Sequence, residues 1–485
     1  IYDGYSIAET GADRWGVKYP VILRAYGESD NRPPMYAWLS AVSIKILGYS
    51  VFAGRLPSVI FGMLSLLLLF FTTRKIGGTL FAYLSLLLMS LSPWHITMSR
   101  LALEAGTLTP FFMIFAIYIF IRVKESNFKV FNIVCLGLCI GFATSAYQSA
   151  KLIFFLVSVI WFCDLLWNSP HRLKTALIFV LSTGIGAMPQ LYAATVLPDQ
   201  FFSRATGTMI SFSLSFDYFQ ALGRNFFLNL SPEFLFLDFG SYNNLTIARL
   251  LTVEMSFFYV GLLSFYWKLK SSKNLNPIYI YMFVILSILP SALTPDNPHA
   301  LRTSCNVVLF PMISAAGILI ICHFIKNESW RVGAIFAISL MIIFNSVSNI
   351  KVYTNNAELI GAGQQNLLVK LAMKLVLYKD QYSQIFIEDI GNQPYMYIVG
   401  YCNVHPEQFQ NAYKQIEGNG WDHFTQFDKY FFLPKEDIIK ASMKNKKKSL
   451  LILKSKNKEY QLMDSVGIHN EKLFFYDNSS PSKAL

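Results

Sequence analysis

Apolar runs of roughly 17 to 22 residues recur along most of this chain, each long enough to cross a hydrocarbon core of about 30 Å. They lie near residues 53–73, 79–97, 105–121, 130–147, 152–168, 173–194, 252–267, 277–293, 304–323 and 332–349, and predict about ten membrane-spanning helices. The pattern changes at Lys351, where long apolar runs stop. An amphipathic period from Gln365 to residue 378 leads into a short apolar segment, 384–388, that reads as a strand. Further strands are expected at 430–433, 449–454 and 472–476, with a helical stretch over 406–416 between them. The chain thus reads as an α-helical polytopic membrane protein over 1–350, opened by a loop of residues 1–52. A small extracytoplasmic α/β C-terminal domain follows over 351–485.

Charge sets the expected orientation. With the opening loop outside, the inner connections carry Arg74 and Lys75, then Arg122, Lys124 and Lys129, then Arg172 and Lys174, then Lys268, Lys270 and Lys273, then Lys326 and Arg331. Each is basic, as cytoplasmic loops are. The outer connections are then 1–52, 94–105, 147–151, 195–251 and 294–304, and an even number of spans puts the tail on the same side. The net charge of +12 falls at span ends and in the tail, as in the run Lys444, Lys446, Lys447 and Lys448. It is not an aromatic-interleaved stripe, so it points to the lipid bilayer and not to nucleic acid. Five of the six cysteines sit in apolar runs, which excludes a disulfide framework or a Cys-rich metal site. The first residue is Ile1, with no basic leader, so the sequence is expected to begin inside a longer protein.

The polar clusters gather in the outer connections: Gly4-Tyr5-Ser6-Ile7, Thr10-Gly11, Asp13-Arg14-Trp15-Gly16, Arg32-Pro33-Pro34-Met35-Tyr36, Arg55-Leu56-Pro57-Ser58, Ser92-Pro93-Trp94-His95, Ser99-Arg100 with Glu104, and Pro298-His299-Ala300-Leu301-Arg302. In this order the series resembles the glycosyltransferase family 39-like proteins, relatives of protein O-mannosyltransferases and of the aminoarabinose transferase that modifies lipid A. The resemblance covers the membrane domain in order and the tail in general layout. It implies a C-type glycosyltransferase fold that takes a sugar from a polyprenyl (dolichyl or undecaprenyl) phosphate donor. Transfer would go to a protein, lipid or glycan acceptor at the outer face of the plasma membrane, with inversion. In that family an Asp-Glu pair a few residues ahead of the Gly-Tyr step supplies the catalytic acid. Here that pair would lie before Ile1, and Asp3 is in the wrong register to replace it.

The chemistry asks for a carboxylate that orients or deprotonates the acceptor and for cations on the leaving phosphate. Asp30 and Glu104 are the carboxylates to watch, although Asp30 is equally a turn residue before Pro33-Pro34. Glu104 stands four residues after Arg100, a spacing that puts the two on one helix face, as a functional pair or as a plain ion pair. Arg32 resembles the family's phosphate-binding cation, and an Arg fork suits phosphate oxygens; a headgroup anchor would use the same residue. Arg302 and Lys151 are further phosphate candidates, each also readable as an ordinary cation at a span end. His95, His299 and Tyr147 are supporting candidates. Some relatives bind a divalent metal near the donor phosphate, but the acids and histidines here lack ligand spacing, so the metal is left unassigned. The aromatic stretch around Asp217, Arg224, Glu233, Asp238 and Arg249 reads as an interfacial roof over a donor groove. Two rival classes stay open: a membrane transporter, and a catalytically inactive scaffold.

Overall fold

The computed structural model describes residues 1–28, 30–237, 248–269, 272, 274–355, 366–391, 393–417, 422–444, 447–468 and 471–481. Asp238, Lys270, Lys273, Gln365 and Lys446 lie outside the described residues. The chain forms two compact units. One comprises residues 21–23 and 31–352, the other residues 1–20, 24–30 and 353–485.

The first unit is helical, and every apolar run read from the sequence falls on helix. Five helices are long and apolar enough to cross a membrane: Val51–Leu91, Glu104–Glu125, Gln148–Asn168, Asn306–His323 and Glu328–Val352. A sixth span arises if Arg172–Gly186 and Met188–Val196, bent by 67° at their junction, are taken as one. The remaining runs form shorter helices, among them Val130–Ala143 and Ile278–Ala292. The first two expected spans share the continuous 41-residue segment Val51–Leu91, broken at Gly78, whose φ of 86° is open to glycine alone among common residues. The run expected to continue to residue 97 stops at Ser92. That side chain accepts from the His95 amide and Pro93 follows it, a strong start for the separate helix Pro93–Arg100.

Small residues let these helices approach closely. A Cβ added to Gly317 would stand 1.8 Å from the Phe257 carbonyl oxygen, and one on Gly261 would stand 2.0 Å from that of Ile313. Met255–Leu269 and Asn306–His323 therefore touch backbone to backbone, as helices do where lipid supplies no hydrophobic drive between them. Gly141 meets the Thr183 carbonyl in the same way, joining Val130–Ala143 to Arg172–Gly186. The protein is an integral multi-pass membrane protein.

The second unit is built on a seven-stranded sheet in the order Lys414–Glu417, His423–Phe427, Tyr430–Leu433, Gln384–Glu388, Ser449–Leu453, Glu471–Pro481, Tyr460–Ile468. Gln384–Glu388 pairs parallel with both its neighbours, and the outer pairings are antiparallel. The stretch expected as helix over 406–416 is helical only as Pro406–Asn411 and then enters a strand.

The first residues of the chain belong to this unit. Tyr2 Oη donates to the Val404 carbonyl at 2.8 Å, and Gln410 Nε2 donates to the Asp13 carbonyl at 2.9 Å. Here Asp13-Arg14-Trp15-Gly16 does structural work. Asp13 Oδ1 accepts from the Trp15 and Val17 amides at 2.9 and 3.0 Å. Arg14, buried, pairs with Asp3 at 2.9 Å, and the Arg24 guanidinium lies 4.6 Å from the Trp15 ring centroid.

Candidate active site

Within the helical unit, a cavity of about 1010 Å³ lies among the helices Val130–Ala143, Gln148–Asn168, Arg172–Gly186, Met188–Val196, Pro198–Thr208 and the end of Ile278–Ala292. Most of its wall is apolar. Its charged lining residues are Lys151, Arg204 and Arg302, and hydroxyls such as those of Tyr147 and Thr294 join them.

Arg302 is held by the loop that follows Ile278–Ala292. Its Nη1 donates to Thr294 Oγ1 at 2.6 Å and to the Asp296 carbonyl at 2.7 Å, and Nη2 stands 3.4 Å from Asp296 Oδ2. His299 belongs to the same loop. Its Nδ1 accepts from the Leu301 amide at 3.2 Å, so the ring proton sits on Nε2, 3.6 Å from Asp296 Oδ2. Burial, then the positive Arg302, Arg204 and Arg249, push His299 down to about 3, and the ring is neutral. Burial raises the Asp296 carboxyl, with Arg302 opposing.

Arg32 and Glu104 come together from residues 72 apart in sequence, with Arg32 Nη1 3.6 Å from Glu104 Oε1. The segment bearing Arg32 is held on two sides: Gln148 Nε2 donates to the Asn31 carbonyl, and Asn31 Nδ2 donates to Ser203 Oγ at 3.2 Å. Tyr147 links the groups. Its phenol is pushed up by burial first, then by Glu104, while Arg32 and Arg302 oppose and Asp296 adds to the rise. The partly buried Tyr147 side chain therefore feels both arginines and both acids. Lys151, on the first turn of Gln148–Asn168, carries its ammonium 3.7 Å from the Phe201 ring centroid.

The structure thus gathers Arg32, Glu104, Tyr147, Lys151, His299 and Arg302. It separates the others. The expected shared helix face of Arg100 and Glu104 does not form, because Pro93–Arg100 ends at an extended Leu101 and a new helix starts at Glu104. Ser58 Oγ donates to the Leu101 carbonyl and takes over what a continuous helix would have bonded. His95 is a packing residue: buried, lowered to about 4 by that burial, its ring lies beside Ser99 and Gly62. Asp30 falls in the other unit, where its carbonyl accepts from the Ala25 amide and its amide donates to the Gly27 carbonyl.

Sequence reading missed Arg204 and Asp296. Asp296 was visible as the acid in Thr294-Pro295-Asp296-Asn297-Pro298, two residues ahead of a motif already singled out. Arg204 carried no local signal. Among the described residues no group of three or more His, Cys, Asp or Glu gathers to hold a metal ion, and Asp296, the acid beside His299, is engaged by Arg302. The described residues do not build a metal site.

Comparisons bear out the resemblance read from the motifs. Residues 31–193 match the family model described as dolichyl-phosphate-mannose-protein mannosyltransferase. Two crystal structures of ArnT from Cupriavidus metallidurans share the fold. The one bound to undecaprenyl phosphate has 12% identity and a TM-score of 0.53, over 98% of this chain and 92% of that one. The apo state has 12% identity and a TM-score of 0.52 over the same shares. The apo Archaeoglobus fulgidus oligosaccharyltransferase is a weaker likeness, with 12% identity and a TM-score of 0.45 over 83% of this chain and 59% of that one. No curated protein matches.

Proposed function

We propose that this protein is a membrane glycosyltransferase that moves a sugar from a polyprenyl phosphate donor to a lipid, glycan or protein acceptor, with inversion. The cavity carries the reading: a long apolar wall suits isoprene units, and Lys151, Arg204 and Arg302 at its polar part suit a phosphate. The matching family and the fold shared with a protein crystallised with undecaprenyl phosphate support it.

In this reading Arg302 and Arg32 meet the donor's phosphate oxygens, joined by Lys151. Their charge counts most as the sugar's bond to phosphate lengthens and negative charge gathers on the leaving group. Glu104 orients the acceptor and takes its proton, and the Tyr147 hydroxyl lies between the two functions. In this reading the basic inner loops support an extracytoplasmic position for the outer connections that carry Tyr147 and Arg302.

The experiment is transfer from a labelled polyprenyl phosphate sugar by membranes containing the protein, with and without Arg302→Ala. Label moving into lipid, glycan or protein, and lost in the variant, is the expected result. Movement of labelled donor across vesicle membranes with no transfer would favour the transporter instead.

A further inference from the structure

Two of the arginines gathered at the site, Arg32 and Arg302, rest on acids. Arg32 Nη1 lies 3.6 Å from Glu104 Oε1, and Arg302 Nη2 lies 3.4 Å from Asp296 Oδ2. Neither contact is a close two-pronged pair, and the Glu104 side chain keeps 15% of its surface exposed, Arg32 29%. Such loose, partly wet pairs are weak and easily exchanged. Arg302 is different in one respect: Thr294 Oγ1 and the Asp296 carbonyl hold it whether or not the carboxylate does.

From this arrangement we infer that the Arg32–Glu104 pair is a donor-operated switch, in which the incoming lipid phosphate takes Arg32 and so frees Glu104 to act on the acceptor. The inference rests on the donor reading above and adds an order to it. Before the donor arrives, the Glu104 carboxylate is occupied by Arg32. A phosphate oxygen, offering shorter and stronger charge-assisted bonds than a carboxylate 3.6 Å away, displaces it. The freed carboxylate then accepts the proton of the acceptor's hydroxyl or amine as that group's lone pair bonds to the anomeric carbon. The bond from that carbon to the phosphate oxygen breaks, and its electron pair leaves with the lipid phosphate, held by Arg32 and Arg302. Glu104 ends protonated and loses the proton to water when the product leaves. Asp296 plays the matching part for Arg302 without touching the acceptor, which makes it a positioning residue.

The switch has a signature that a structural ion pair or a simple base lacks: removing the acid strengthens lipid-phosphate binding while it weakens transfer. The test uses purified full chain in nanodiscs, titrated with undecaprenyl phosphate, for wild type, Glu104→Gln and Asp296→Asn. Glu104→Gln is expected to bind about three- to tenfold tighter, because Arg32 no longer has to leave a carboxylate, and to transfer roughly a hundredfold more slowly. Asp296→Asn is expected to bind tighter as well, with a much smaller loss of rate. Equal or weaker binding by Glu104→Gln in a folded protein overturns the switch. If Glu104→Gln does not fold, Glu104→Ala, which also frees Arg32 of its acid, decides by the same criterion. Absence of binding by wild type removes the donor reading itself, and the switch with it.

Discussion

Lys151 holds its ammonium 3.7 Å from the centre of the Phe201 ring, and among the described residues no carboxylate pairs with it. Both side chains line the same cavity. An ammonium supported by a ring face alone has its remaining donors available to an anion. Lys151→Met keeps the length and apolar stem and removes the charge. It is expected to weaken undecaprenyl phosphate binding by about tenfold or more, the usual weight of a hydrogen bond to a charged group, with an unchanged thermal midpoint. Unchanged affinity would return Lys151 to the role of a span-end cation.

Arg302 allows a sharper test, because its fork is already positioned by Thr294 and Asp296. Arg302→Ala is expected to lower transfer by about a hundredfold or more, since the lost charge acts mainly on the departing phosphate. Arg302→Lys is expected to restore only part of the rate, because a single ammonium cannot replace two parallel donors. Equal rates for the lysine variant and wild type would mean that the fork is not used.

The glycine contacts predict opposite outcomes for one kind of substitution. Gly317→Ala places a methyl 1.8 Å from the Phe257 carbonyl oxygen, a clash relieved only by parting two helices. It is expected to lower the thermal midpoint severely or prevent accumulation. Gly184→Ala meets nothing within 4 Å and sits inside Arg172–Gly186, so a small gain of about 0.5–1 kcal/mol is expected from helix propensity. Thermal melts of the two purified variants decide it.

Asp13 gives a pH dependence with a definite sign. Burial, opposed by the Val17 and Trp15 amides, raises its carboxyl to about 6, above the unfolded value of about 3.9. The folded state therefore binds the proton more tightly. The stability contribution is favourable in acid and is lost as pH rises from about 4 through 6. At neutral pH the buried charge costs about 1–3 kcal/mol. Asp13→Asn keeps an oxygen for both amides and removes the charge. Its unfolding midpoint at pH 7.5 is expected to match or exceed that of wild type, with a flatter profile between pH 5 and 7. A lower midpoint with unchanged pH slope would refute this assignment.

Local pattern was readable wherever local forces decided the outcome. Gln384–Glu388 and Tyr430–Leu433 were both bounded correctly, because a short run of β-branched and aromatic residues between polar stretches is a property of the segment itself. The first three residues of Lys414–Glu417 were read as the end of a helix because so short a strand carries little pattern, and its pairing with His423–Phe427 is supplied from elsewhere. Tyr460–Ile468 is largely exposed, so its sequence lacked the apolar alternation of a half-buried strand. At the site, the motifs marked Arg32, Glu104 and Arg302 individually. The spacing of Arg100 and Glu104 suggested the wrong partner, since nothing in Leu101-Ala102-Leu103 announces a helix break. Asp296 was legible in its own loop, three residues ahead of His299, whereas Arg204 reaches the site only through tertiary packing.

The sheet-bearing unit is closed by residues from both ends of the chain, with Tyr2 reaching Val404 and the Asp13 carbonyl reached by Gln410. During synthesis, the first thirty residues must therefore wait for partners made more than three hundred residues later. At roughly 5–20 residues per second that wait is on the order of half a minute. Throughout it Tyr2, Trp15 and the Asp3–Arg14 pair lack the surfaces that bury them, while the intervening helices are already being inserted. Closure around Tyr2 and Asp13 is thus gated by the segment carrying Val404 and Gln410. A ribosome-stalled chain ending near residue 400 would present its opening segment to chaperones and proteases, however well its spans had assembled.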